Sequence, residues 1–258
     1  FESVEKGIIK GRYTIFGTDP DKIWEFNKSN SFIIKKKVKR KIKKGNPKKI
    51  IESIINNFKF EIPKTLPPIS SLLSGYFSYD IIRYIEKIPN SCVDDLKIPD
   101  ARILRPKTLI IHDNYLQKIY FIENCFSDEK VIDYKRKYNS IENQISNLIF
   151  LSNYNIGSVN KISKKKIKIK SNISKKKFLN NVKKAKNYIK IGDIFQVVLS
   201  QRFEANLTKN PIEIYKKLRI NNPSPFMYFF NFEDFQIIGA SPEILVRLRD
   251  NKITIRPI

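Results

Sequence analysis

The sequence predicts an α+β fold. Strand-like runs follow one another in groups, and the helical stripes do not alternate strictly with them, which argues against a doubly wound parallel sheet. No internal repeat appears, and 41% hydrophobic residues in a chain of 258 suffice to bury a core in one or two domains.

The elements follow in order. Gly11–Gly17 reads as a strand and Thr18-Asp19-Pro20 as a turn after it. Residues Ile34–Lys44 alternate Val38, Arg40 and Ile42 against Lys37, Lys39 and Lys41, so period two puts the lysines on one solvated strand face. Asn46-Pro47 is an N-cap followed by proline at the first helical position. Ile50, Ile51, Ile54, Ile55 and Phe58 then form one helical stripe. Beyond the proline-rich stretch Pro63–Pro68, Thr108–His112 and Leu116–Ile122 flank Asp113-Asn114 as a β-hairpin. A longer helix carries Val131, Tyr134, Tyr138, Ile141, Ile145 and Leu148.

The polar, Lys-rich stretch Ser152–Ser171 is the linker candidate. It divides the chain into a domain over 1–155, a linker over 156–173 and a second domain over 174–258. Ser174 opens a helix with Phe178, Val182, Ala185 and Ile189 buried, and Gly192 sits where a C-terminal cap belongs. Ile194–Phe203 reads as a buried strand, and Asn210-Pro211 caps a short helix with Ile214, Tyr215 and Leu218. Phe226–Phe230, Phe235–Ile238 and Ile244–Leu248, continued by Lys252–Ile258, close the chain as strands.

Charge narrows the function classes. Lys+Arg is 50 against Asp+Glu 25, a formal net charge of +25. A basic nucleic-acid-binding protein is therefore the competing reading, and it would gather lysines on one face with aromatics interleaved. Here they are spread along the chain beside abundant Ile, Asn, Tyr and Phe, residues that share AT-rich codons, so no nucleic-acid partner is expected. Cys92 and Cys125 form no CxxC pattern and His112 is the only histidine, which removes the zinc and Ser/His/Asp arrangements. No apolar run approaches the roughly 20 residues of a membrane helix, so no membrane partner is expected. Cysteine usage points to a reducing compartment, and the expected location is the cytoplasm. The chain opens on Phe1 rather than Met, which leaves an upstream targeting segment open.

Four runs carry a resemblance. They are Glu2-Ser3-Val4-Glu5 with Gly11–Gly17; Gly75-Tyr-Phe-Ser-Tyr-Asp80 with Arg83-Tyr84; Gly192–Phe203; and Asn222-Pro-Ser-Pro-Phe-Met227 through Gly239-Ala-Ser-Pro-Glu243 to Ile255-Arg-Pro-Ile258. In order and spacing they resemble the large, chorismate-binding subunits of anthranilate synthase, over essentially the whole chain. The resemblance implies large, mostly antiparallel sheets packed with helices, the fold of chorismate-utilising enzymes, here incomplete. It implies an enzyme that adds ammonia to chorismate, loses a ring hydroxyl as water and eliminates pyruvate to leave anthranilate. The implied partners are chorismate, a glutamine amidotransferase subunit (component II) that supplies ammonia, and L-tryptophan as feedback inhibitor. Mg2+ is the implied cofactor, and its ligands are expected beyond Ile258, together with the catalytic histidine. The 258 residues alone are therefore expected to lack synthase activity.

The same resemblance names residues. Glu243 matches the general acid, and loss of hydroxide needs such a proton donor. The alternative is a first-turn glutamate stabilised by a helix N-terminus after Ser241-Pro242. Gln196 stands where water-adding relatives carry a lysine base; a neutral amide cannot take that proton, whereas ammonia is already a nucleophile. Glu2, Ser3, Pro225, Phe226 and Met227 match the tryptophan site, with Phe226 where the family often has Tyr. The competing reading of these last residues is a core strand. The nearest enzyme alternative is the large subunit of aminodeoxychorismate synthase, which has Lys directly after the Arg-Pro-Ile run where anthranilate synthases have Ala. Val198-Leu-Ser200 and Asn222-Pro-Ser-Pro225 favour the anthranilate enzyme.

Overall fold

The structure is a computed structural model that describes residues 1–3, 11–59, 61–126, 133–153, 167–207 and 209–255. The chain forms two compact units: Phe1–Tyr154 with Tyr215–Ile258, and Asn155–Ile214.

The first unit is built on a six-stranded antiparallel sheet. Its long central strand β1 (Tyr13–Asn27) runs straight through Thr18-Asp19-Pro20, where the sequence predicts a turn. The chain kinks without turning: the register slips between Pro20 and Lys22, and Asp19 takes φ 50. Pro20 faces Pro106 across the ladder, so neither strand has a backbone N–H to offer there and the pairing is interrupted at one point on both. β2 (Asn30–Lys35) and β3 (Val38–Lys41) replace the single alternating strand expected over Ile34–Lys44. Lys36 and Lys37, at φ 47 and 66, make a two-residue hairpin turn without the Asn-Gly signal that usually announces one.

Helix α1 (Pro47–Asn57) begins as predicted, with the Asn46 side chain accepting from Lys49 N at 2.9 Å. Its Ile50, Ile51 and Ile54 pack on Trp24, Phe26, Ala101 and Ile103, while Ile55 falls off the stripe and is exposed. β4 (Ser74–Phe77) precedes a 3₁₀ turn over Tyr79–Tyr84. The predicted hairpin is β5 (Ala101–Asp113) with β6 (Lys118–Glu123), and α2 (Tyr134–Asn153) follows it. Val131 lies outside the described residues. β5 pairs with β1 along one edge, and with β4 and then β6 along the other.

The run Gly75–Tyr84 is structural. A Cβ on Gly75 would stand 2.0 Å from the Arg102 carbonyl oxygen, so only glycine lets β4 approach β5 this closely. Tyr76 Oη donates to Pro99 O at 2.7 Å, and Tyr84 Oη donates to Asp100 Oδ2 at 2.8 Å. Burial pushes the Tyr76 phenol up to about 12.

The second unit holds β7 (Ile169–Ser171), α3 (Lys175–Lys190) and β8 (Phe203–Ala205). Ser174 caps α3 by accepting from Lys177 N, and Gly192 follows its last turn. β7 pairs with β8 antiparallel. The strand expected over Ile194–Phe203 shrinks to its last residue. Residues 194–202 are irregular, with Phe195 93% and Val198 81% exposed, because no ladder runs along them to satisfy their backbone groups.

α4 (Pro211–Asn221) is capped by Asn210, whose Oδ1 accepts from Ile212 N at 3.1 Å. β9 (Phe226–Asn231) and β10 (Gln236–Ser241) form a hairpin, and β11 (Arg247–Arg249) pairs with β12 (Lys252–Thr254). The sequence divides the chain at 155 and 174, whereas residues 215–258 group with the first unit. An ion cluster around buried Arg102 accounts for part of this. Arg102 donates to both carboxylate oxygens of Asp234 in the β9–β10 turn, at 2.6 and 2.9 Å, and also to Glu25 of β1. Its guanidinium lies 4.9 Å from the Phe235 ring centre. The alternation of β1 and β5 thus puts Trp24, Phe26, Ala101 and Ile103 towards α1 and aims Glu25 and Arg102 at the hairpin. Among the described residues no helix is long and apolar enough to cross a membrane.

Candidate functional site

Three of the motif segments meet on β9. Met227, 1% exposed, pairs with Ala240 of β10 on one side. On the other it pairs with Glu2: Glu2 N donates to Met227 O at 3.0 Å and Met227 N donates to Glu2 O at 2.9 Å. Phe1 adds an edge-on ring contact to Phe230 at 5.0 Å, and its carbonyl accepts from Ile15 N at 2.8 Å. The chain's first residues are thereby held between β9 and β1.

The Asn222–Met227 and Gly239–Glu243 runs are joined by their serines. Buried Ser224 donates its hydroxyl to Ser241 O and accepts from Phe226 N at 3.3 Å. Ser241 Oγ donates in turn to Glu243 O at 2.9 Å. Gly239 faces Tyr228 across the hairpin, and a Cβ there would come within 2.1 Å of the Tyr228 ring; the glycine makes room for the aromatic.

Five of the predicted site residues are therefore brought together. Glu2 and Ser3 lie beside Pro225, Phe226 and Met227. Met227 is core, Pro225 is half-buried and Phe226 is exposed on its strand. Ser3 Oγ is buried without a hydrogen-bond partner among the described residues. Glu2 Oε1 accepts from Tyr215 Oη at 2.6 Å and from Arg219 Nε at 2.8 Å. Burial, and then the bond to Glu2, push the Tyr215 phenol well above its ordinary range.

Glu243 is half-buried on a bend after β10. No helix follows it, since the chain passes irregularly to β11, so helix-terminus stabilisation does not apply. Gln196 belongs to the second unit, exposed in the irregular segment rather than buried in the expected strand. Among the described residues no group of three or more His, Cys, Asp or Glu side chains gathers to hold a metal ion. A cavity of about 530 Å³ opens between α1 and the sheet, walled by Trp24, Ile50, Ile54 and Leu73, with Lys44 and Lys49 at its edge; none of the predicted site residues lines it.

Sequence reasoning missed Tyr215 and Arg219 as site residues. Tyr215 reads as part of a helical stripe, and Arg219 one turn later is an ordinary surface cation. Their partner lies 213 and 217 residues away, which no local pattern reveals.

Comparison with known proteins adds identity to this geometry. Over all of its length the chain is 36% identical to anthranilate synthase component 1 of Cereibacter sphaeroides and 38% identical to that of Acetivibrio thermocellus, covering 52% and 53% of those proteins. The crystal structure of anthranilate synthase component I from Streptococcus pneumoniae TIGR4 superposes with a TM-score of 0.78 at 26% identity, over 98% of this chain and 55% of that one. The chain thus spans about half the length of the curated relatives it matches. A family description, chorismate binding enzyme, matches residues 13–258, and the chain belongs to that family.

Proposed function

We propose that this chain is part of the large subunit of an anthranilate synthase, which converts chorismate and ammonia to anthranilate and pyruvate. The observation that carries the reading is the meeting of Glu2-Ser3, Asn222–Met227 and Gly239–Glu243 on one strand, in a chain more than a third identical to two component 1 proteins. In this reading Glu243 delivers a proton to the departing ring hydroxyl, which must leave as water. Gln196 supplies an amide and no base, so water is not activated against ammonia at its position.

Ammonia would come from a glutamine amidotransferase subunit, component II. Mg2+ would hold the substrate carboxylate in the whole enzyme. The described residues gather no acid cluster for it. The Glu2–Met227 region is the proposed L-tryptophan feedback site, and the cytoplasm the proposed location.

The test is to express the complete reading frame and supply chorismate, Mg2+ and an ammonium salt. Anthranilate is the expected product, read by its fluorescence, and Glu243→Gln is expected to abolish it. The 258 residues alone are expected to give none. Formation of 4-amino-4-deoxychorismate instead would replace this assignment by the folate-pathway relative.

A further inference from the structure

The carboxylate of Glu2 is held by two donors from one face of α4, Tyr215 and Arg219, one helical turn apart. The two ends of the Glu2–Arg219 ion pair differ in freedom. The Glu2 side chain is 13% exposed and its backbone is fixed to Met227, whereas Arg219 is 46% exposed in the last turn of α4. Tyr215 is braced by the Phe229 ring at 6.0 Å and stays with Glu2. If the pair opens, Arg219 is the partner that moves.

An ion pair of this form is an internal copy of a zwitterion. An α-amino acid carries an ammonium and a carboxylate on one carbon. Its ammonium can take the place of Arg219 on Glu2, and its carboxylate can then pair with the released guanidinium. One ion pair is broken, two are formed, and no charge is left bare. A plain amine would strand Arg219, and a plain carboxylate would have to draw Arg219 from Glu2 and leave that acid unpaired. Both half-solutions carry the cost of an uncompensated, partly buried charge. Buried Ser3 Oγ, with no partner among the described residues, is a further polar group beside Glu2.

We infer that Arg219 is a specificity-determining residue of the Glu2–Met227 site, selecting zwitterionic amino acids over analogues that carry one of the two charges. The inference rests on the proposed amino-acid site there and goes beyond it by naming the residue that reads the carboxylate.

Isothermal titration of the 258-residue chain with L-tryptophan, tryptamine and indole-3-propionate tests it. The unaltered chain is expected to prefer tryptophan by about tenfold or more over either analogue, the scale of one charge-assisted contact. Arg219→Gln is expected to weaken tryptophan by about tenfold and to tighten tryptamine, because Glu2 is freed, so that the preference collapses. Tyr215→Phe is expected to weaken both ammonium-bearing ligands alike and keep their ratio. If Arg219→Gln leaves the tryptophan-to-tryptamine ratio unchanged, or Tyr215→Phe alone shifts it, the role given to Arg219 is wrong while the amino-acid site stands. If the unaltered chain binds no tryptophan, the site and the inference fall together.

Discussion

Strand β5 and the segment 194–202 are written in similar letters and end in opposite states. Ala101–Asp113 is rich in Ile and Leu, and so is Ile194-Phe-Gln-Val-Val-Leu-Ser-Gln-Arg202 in Ile, Val and Leu. β5 is paired along both edges and buries Ala101, Ile103, Leu109 and Ile111, whereas 194–202 has no ladder and leaves Phe195 and Val198 in water. The lesson is that β-propensity describes a fit to a half-buried surface and not a preference the segment carries alone. What β5 has is neighbours.

The comparison can be broken or sharpened by substitution. The largest effect is expected from Arg102→Ala, which leaves buried Glu25 with the Lys39 ammonium alone and frees the β9–β10 turn from β5. Breaking a buried pair of this kind costs roughly 3–5 kcal/mol, read by urea unfolding. Leu109→Ala, at a fully buried position of the same strand, should cost about 2–5 kcal/mol through lost contacts and a cavity. A midpoint unchanged in either variant would show that β5 is not the core this comparison makes it.

Acid provides a third, milder probe. The Arg12 guanidinium beside Asp113 holds that carboxyl below its ordinary value of 3.8. A depressed folded value means that the contribution is complete above the unfolded value and is lost as pH falls through the folded one. Thermal melts should therefore show a loss of stability below about pH 4 that is smaller in Asp113→Asn. Equal acid sensitivity in both proteins would contradict it.

The smallest effects belong to the other region. Phe195→Ser and Val198→Ser should change stability by no more than about 0.5 kcal/mol, since neither removes buried surface. Amide exchange over 194–202 should be fast while β5 stays protected. A cost above about 2 kcal/mol for either substitution would mean that the segment is packed after all.

Legibility in the sequence follows range. Asn46-Pro47, Ser174 and Asn210 were readable as caps because capping is a contact over two or three residues. The Asp113-Asn114 hairpin was readable for the same reason. The bulge at Pro20 was not, because its reason is a proline on the facing strand, 86 residues on. Lys36-Lys37 hid a turn because the residues carry no turn signal, and the fold imposes positive φ on them. The predicted site divides in the same way. Glu2, Ser3 and Pro225–Met227 do come together, while Arg219 and Tyr215 stayed hidden behind ordinary helical positions.

The sequence by itself determined the α+β class, the caps, the hairpin of β5 with β6 and the candidate letters of the site, since each follows from periodicity or a short-range bond. Only the tertiary structure decided which strand-like runs became strands, that the β9–β10 hairpin docks on Arg102, and that Glu2 is held by α4. Those outcomes depend on ladders and ion pairs between residues tens to hundreds of positions apart, whose free energy exists only once the chain has brought them together.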